Sequence, residues 1–262
     1  MIQPGEVNLP MPRLTLSIPW TRGTEKPMVL TWGMNWQLKT RSAMPAAAAA
    51  PGPKTAAAPA PIPTRVSNGL KEFLWLLSDA GKGKLLDLGQ VSQNTLNFFI
   101  EKGFRVTTED FLRSWREFMN VEEDRRRKVL LSKDGEFPTP DALAARFLED
   151  ILQYPPETFH GVLAWDLFDY MEPELLARVV SRLHDILRPG GLVLSLFHSR
   201  TPERYCRYRI LENQTLEVLP TPPLAPHVRV FQNREILDLF GKFRSSKSFV
   251  GRDQIREALF LK

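Results

Sequence analysis

FHGVLAWDLFDYMEPELLARVVSRLHDILRPGGLVLSLF, residues 159–197, runs through strand, loop, helix, turn and strand in a single pass. HGVLAW is a short apolar run of the kind shown by a strand buried on both faces. Leu176, Val179, Val180, Leu183, Ile186 and Leu187 recur at helical spacing and form the most regular amphipathic pattern in the chain. RPGG breaks that helix, and LVLSLF is a second buried-strand run. Strand, crossover helix and strand predict a βαβ unit, and so a parallel sheet with helices packed against it.

The same alternation extends in both directions. Upstream, Leu70, Phe73, Leu74 and Leu77 form one helix stripe, which Gly81 and Gly83 end. KLLDLG is a buried strand; Ser92 or Asn94 caps the helix after it, which runs to Lys102 and stops at Gly103. FRVTTED is a second strand, and Phe111, Leu112, Trp115, Phe118 and Met119 mark another helix. Pro140 opens a helix through about Leu152. Between FRVTTED and HGVLAW no strand is clear, KVLLS (128–132) being the candidate. Downstream, YRILENQTLEVL reads as a local hairpin and NREILDLF as a short helix. SSKSFVGRDQIREALFLK reads as two strands joined across Gly251–Gln254. The expected fold is α/β, a doubly wound and mostly parallel sheet ending in an antiparallel strand pair.

Residues 1–65 differ in kind. Residues 1–68 hold eleven of the 22 prolines, and AMPAAAAAPGPKTAAAPAPIP (43–63) is almost entirely alanine and proline. Such a segment buries too little apolar surface to offset ordering entropy, so residues 1–65 are expected to be a disordered tail and linker. The folded domain is expected over 66–262. Trp20, Trp32 and Trp36 make the tail a candidate docking segment for a protein partner, while Met34 or Met44 could each start the chain. The net charge of +5 comes from this tail: residues 1–68 carry seven Lys/Arg and two Asp/Glu, and the other 28 basic and 28 acidic residues balance. A neutral body argues against a nucleic-acid partner. One cysteine, Cys206, forms no internal disulfide, and no segment reaches the roughly 18 apolar residues of a membrane helix. A cytoplasmic, soluble protein with no membrane partner is the expectation.

KLLDLG with its helix, the acid-ended VTTED, and residues 159–197 taken together resemble the class I S-adenosylmethionine (SAM) methyltransferases. The terminal strand pair suits that family's sheet too. The resemblance covers roughly 66–262 and implies a seven-stranded Rossmann-like sheet. It also implies SAM as cofactor, and methyl transfer by direct in-line displacement to a small-molecule or protein acceptor. Such chemistry works by holding two reactants in line, with a base needed only if the acceptor must lose a proton. The glycine motif is degenerate: Asp87 and Gly89 match, but Val91 and Gln93 replace the second and third glycines. A side chain at such a position takes space the cofactor would use. The alternative is therefore a non-catalytic methyltransferase-like binding module that has lost SAM. A nicotinamide-binding protein is disfavoured by GQVSQN and by the terminal pair.

The candidate cofactor-binding residues are Asp87, Gly89, Asp110, Glu109 and Asp166. Asp110 ends the second strand, 23 residues after Asp87, near the spacing expected of a carboxylate on ribose hydroxyls. It could equally cap the helix from Phe111, with Glu109 as the ligand instead. Gly89 is explained by the turn itself, and Asp87 either anchors that turn or meets the cofactor's ammonium. Asp166 follows the fourth strand, where the crevice of such sheets lies, and is a weak catalytic candidate beside a solvated-loop reading. His198, at the end of the fifth strand, is the other, as a general base. Asp169 and Tyr170 share the Asp166 loop without stronger support, and His184 belongs to a helix. His160 stands where related sequences carry an aspartate, so the adenine-contacting acid is unassigned, Asp150 being the nearest candidate. Trp165 is expected in the core. Arg125–Lys128 follows Glu122, Glu123 and Asp124 as a self-compensated helix face, and RYCRYR (204–209) reads as an edge hairpin. Four scattered histidines and one cysteine lack metal-ligand spacing, so no metal is expected.

Overall fold

The structure, a computed structural model, describes residues 63–79, 81–132 and 137–262, the side chains of 131 and 132 excepted. The expectations for the Pro/Ala-rich tail and its tryptophans fall on residues 1–62 and lie outside the described residues. The first strand, β1 (Thr64–Val66), pairs antiparallel with β7 (Thr215–Pro220), so sheet pairing begins two residues before the expected boundary at 66. Ser67 then caps α1 (Asn68–Ser78), its Oγ accepting the Leu70 N–H at 3.0 Å. Leu70, Phe73 and Leu77 of the expected stripe are buried.

The main sheet runs in the order β3 (Arg105–Thr108), β2 (Lys84–Asp87), β4 (Phe159–Trp165), β5 (Leu187–His198), β9 (Ile255–Leu261), β8 (Ser245–Val250). The first four are parallel, and β9 is antiparallel to both its neighbours, as the terminal pair predicted. Strand periodicity divides the core in two. Leu85, Leu163, Leu192, Leu194 and Leu196 face α1 and α2 (Gln93–Glu101). Leu86, Val162, Ala164, Val193 and Phe197 face the opposite cluster. That cluster gathers side chains of α3 (Phe111–Ser132), α4 (Pro140–Asp150), α5 (Pro173–Ile186) and α6 (Asn233–Leu239). Helices therefore cover both faces, the doubly wound arrangement. A second sheet, β1–β7–β6 with β6 at Cys206–Glu212, contains the expected hairpin and packs Tyr208, Ile210 and Leu216 into the α1/α2 side.

The strand count needs correction. Among the described residues the main sheet has six strands, not seven. KVLLS, the candidate for the missing one, lies at the end of α3. No Gly or Pro interrupts residues 111–132, and ion pairs one helical turn apart join Arg125 to Glu122 (2.6 Å) and Arg127 to Glu123 (2.7 Å). Glu122 also takes two hydrogen bonds from Arg146 of α4, so the charged face is compensated by its own neighbours. No helix among the described residues is long and apolar enough to cross a membrane.

Candidate functional site

β2, β3 and β4 end side by side, Asp87 lying level with Thr108 and Leu163. Asp87 is 1% exposed, and its Oδ1 accepts the Gly89 N–H (3.0 Å) and the Trp165 indole N–H (2.7 Å). Burial pushes its pKa up to about 6, against the pull of those two hydrogen bonds. Trp165 closes β4 with φ of 49°, in the left-handed region that costs an L-residue roughly 1–2 kcal/mol. That bend lays the indole over the β2 turn, sandwiched against Tyr208 of β6 (centroids 6.1 Å apart, 12° between planes). A Cβ on Gly89 would sit 2.5 Å from Trp165 Cδ1. Gly89 has no positive φ. The glycine is thus demanded by the approach of the indole, not by the turn, which corrects the sequence expectation.

Val91 and Gln93 do not fill the crevice. Val91 is 57% exposed, and Gln93 is turned outward, its Nε2 donating to Asn97 Oδ1 at 2.7 Å. Ser92 caps α2 between them. Trp165 instead lies against Gly89 and lines what space remains. With the indole in place, the crevice between Leu88, Gly89, Gln90, Asp110, Trp165 and Asp166 holds about 30 Å³. Cofactor sites run to roughly 300–1,000 Å³.

Asp110 lines this crevice and caps α3 as well, accepting from Arg113 N–H (3.4 Å) and Arg113 Nε (3.1 Å). Glu109 turns elsewhere, its carboxylate receiving the Tyr154 hydroxyl, and burial holds its pKa above the usual carboxylate value. Asp150 is exposed at the end of α4 and does not line the crevice. His160 sits near the amino end of β4. Its Nδ1 accepts the Lys84 N–H (3.1 Å) and its Nε2 meets Arg188 (3.0 Å), a structural role.

Asp166 is not a solvated loop residue: it is 5% exposed at the crevice lip. Burial pushes its pKa up to about 7, with the Asp169 charge adding to the rise; the His198 charge and the Tyr170 hydroxyl (3.4 Å) oppose it. A folded carboxyl with a raised pKa keeps a proton that the unfolded chain has lost. Stability therefore falls as pH rises from the ordinary carboxylate range to about 7. Asp166→Asn removes that penalty. The variant should exceed wild type in denaturant midpoint at pH 8 and match it at pH 4. Every tenfold excess of the folded carboxyl's proton affinity over the unfolded one's is worth about 1.4 kcal/mol of that difference. A difference that does not change with pH would refute this account.

No protein-family model matches the chain, and no curated protein sequence matches it. Among solved structures it is similar to the Burkholderia thailandensis 1,6-didemethyltoxoflavin-N1-methyltransferase with bound 1,6-didemethyltoxoflavin and S-adenosylhomocysteine. The identity there is 18%, over 75% of this chain and 79% of that one, with a TM-score of 0.38. A SAM-dependent methyltransferase of Methanosarcina mazei gives 10% identity, 69% and 92% coverage, and a TM-score of 0.36. One from Aquifex aeolicus gives 9%, 75% and 90%, and 0.38.

His198 closes β5 with its Nδ1 2.8 Å from Asp169 Oδ2, which also accepts the His198 backbone N–H at 2.8 Å. Burial pulls the His198 pKa down. The hydrogen bond to Asp169 and the charges of Asp166 and Asp169 outweigh it, leaving the pKa raised. His227, which the sequence reading did not single out, joins this pair from the loop after β7. Its neighbourhood was invisible to spacing, because Asp169, His198 and His227 come from three separate segments. Beside them lies a larger cleft of about 540 Å³ bordered by Tyr170, Arg204, Tyr205, Pro222, Pro226 and His227. RYCRYR forms part of its wall and of the edge strand β6. Tyr205 packs on Tyr170, Tyr208 on Trp165, and Arg209 pairs with Glu217, so its aromatics serve the core.

Proposed function

We propose that the chain is a SAM-dependent methyltransferase with an unidentified small-molecule or protein acceptor, and that its cofactor crevice lies at the carboxyl ends of β2, β3 and β4. The observation that supports this is the convergence of Gly89, Asp110 and Asp166, from three separate segments, on one crevice, with Asp87 holding the Gly89 N–H from beneath. The donor set suits an aminoacyl nucleoside: a carboxylate for vicinal hydroxyls at Asp110, and a turn without a side chain at Gly89. The space does not suit it while the indole lies on Gly89, so entry requires Trp165 to leave. SAM, when bound, supplies a methyl group on a sulfonium. Asp166, whose proton affinity is poised near neutrality, is the group placed to exchange a proton at the lip.

Titration calorimetry of the full chain with SAM and with S-adenosylhomocysteine tests the reading. Micromolar binding that disappears in Asp110→Ala is the expected result; no heat at millimolar SAM would overturn it. The second reading, a non-catalytic module that keeps the fold as a binding surface, is favoured by one observation: the indole fills the crevice and takes up the Asp87 carboxylate. On that reading the tryptophan-bearing tail tethers the domain to a protein partner.

A further inference from the structure

Asp169, His198 and His227 bring one carboxylate oxygen and two imidazole nitrogens within 4.8 Å of one another. Asp169 Oδ2 lies 2.8 Å from His198 Nδ1 and 4.0 Å from His227 Nε2. Two ligands held about 2.1 Å from a zinc-class ion in a tetrahedron stand roughly 3.4 Å apart, between these two separations. Asp169 is 0% exposed, yet its Oδ1 has no hydrogen-bond partner, and neither has His227 Nε2. A buried polar atom left unsatisfied costs about 1–3 kcal/mol, a cost that a cation bound at His227 Nε2 would remove for that nitrogen.

The three residues are also held in place by backbone. The His198 N–H fixes the Asp169 carboxylate. The Asp169 carbonyl in turn accepts the N–H groups of Val228 (2.9 Å) and Arg229 (3.4 Å), which pins the segment carrying His227. The Tyr170 ring braces the His227 imidazole edge-on at 5.6 Å. His227 and Tyr170 both border the 540 Å³ cleft, so positions on an ion not taken by protein would open towards it.

We propose that Asp169, His198 and His227 form a binding site for a divalent transition-metal ion of the zinc class at the floor of this cleft. Two imidazoles and one carboxylate suit zinc, iron(II) or cobalt(II) and disfavour magnesium or calcium, which prefer oxygen alone. Three protein ligands leave at least one coordination position for water or for an oxygen- or nitrogen-bearing molecule in the cleft. The cleft shares Tyr205 with the SAM crevice, but the ligand set is separate from the crevice residues and the proposal does not depend on the methyltransferase reading.

The test uses the full chain stripped with a chelator. Equilibrium dialysis against Zn²⁺ should find one ion per chain, and X-ray absorption at the zinc edge should find two imidazoles and no sulfur. His227→Gln and His198→Gln should each weaken binding by at least the ten- to hundredfold that loss of even an outer-shell group causes. His184→Gln, on the surface of α5, should leave it unchanged. Zn²⁺ should also raise the unfolding temperature of wild type, a readout that needs no variant. Absence of stoichiometric binding, sulfur in the coordination shell, or binding that survives both His227→Gln and His198→Gln would each overturn the proposal.

Discussion

Trp165→Ala is expected to weaken the fold and strengthen cofactor binding at once. The indole is 6% exposed, stacks on Tyr208 and donates to Asp87. Truncating a buried aromatic of this kind costs about 3–5 kcal/mol. Asp87 then keeps only the Gly89 N–H, an added penalty of roughly 1–3 kcal/mol, while an alanine at φ of 49° retains part of the backbone strain. The crevice moves the other way. If wild type must displace the indole before SAM enters, its apparent affinity is reduced by the fraction of molecules that are open. Removing the indole removes that factor, and a tightening of at least about tenfold is expected for an opening cost above 1.4 kcal/mol. Denaturant unfolding measures the first effect and calorimetry the second. A variant that loses stability without binding SAM more tightly would show that the indole is not the gate. If neither protein binds SAM, the module reading stands.

What the sequence made legible, and what it did not, follows from how far each feature depends on distant partners. β2, α2, β4, α5 and β5 were readable because their signals are local: apolar runs, a 3.6-residue stripe and Gly or Pro at the breaks. KVLLS misled for a related reason. A short apolar run has no period to distinguish strand from helix, and the deciding interactions, such as Arg146 on Glu122, come from another helix. At the site, Asp87 closes β2, while Gly89, Asp110 and Asp166 follow the ends of β2, β3 and β4, Asp110 lying two residues beyond the strand it was expected to end. What stands over them was not legible, since it depends on the left-handed conformation of Trp165 and on Tyr208 arriving from the second sheet. Val91 and Gln93 drew attention because they break a motif, yet both face away from the crevice. His227 carried no local signal at all: the two backbone bonds to the Asp169 carbonyl and the Tyr170 ring hold it beside His198.

Arg65→Met is expected to cost about as much as the loss of Trp165, far from the crevice. Arg65, on β1, is buried with its Nη2 2.8 Å from Glu257 of β9 and its Nε 2.6 Å from Asp253. Glu257 is 2% exposed and its other oxygen accepts the Gly69 N–H at the start of α1, so one carboxylate joins both sheets and a helix terminus. Removing the guanidinium leaves that carboxylate buried with no cation beside it, and breaking such a pair costs about 3–5 kcal/mol. Arg65→Met paired with Glu257→Gln should recover most of the loss, because the amide is neutral and still presents an oxygen to Gly69. Unfolding free energies of the four proteins close the cycle. A single-variant loss below about 1 kcal/mol would mean that solvent already screens the pair. The same physics fixes where the domain can be cut. A chain begun at Val66 lacks the guanidinium and should lose what Arg65→Met loses, whereas one begun at Pro63 keeps the ion pairs and the Val218 N–H bond to the Pro63 carbonyl, and should unfold at the wild-type midpoint.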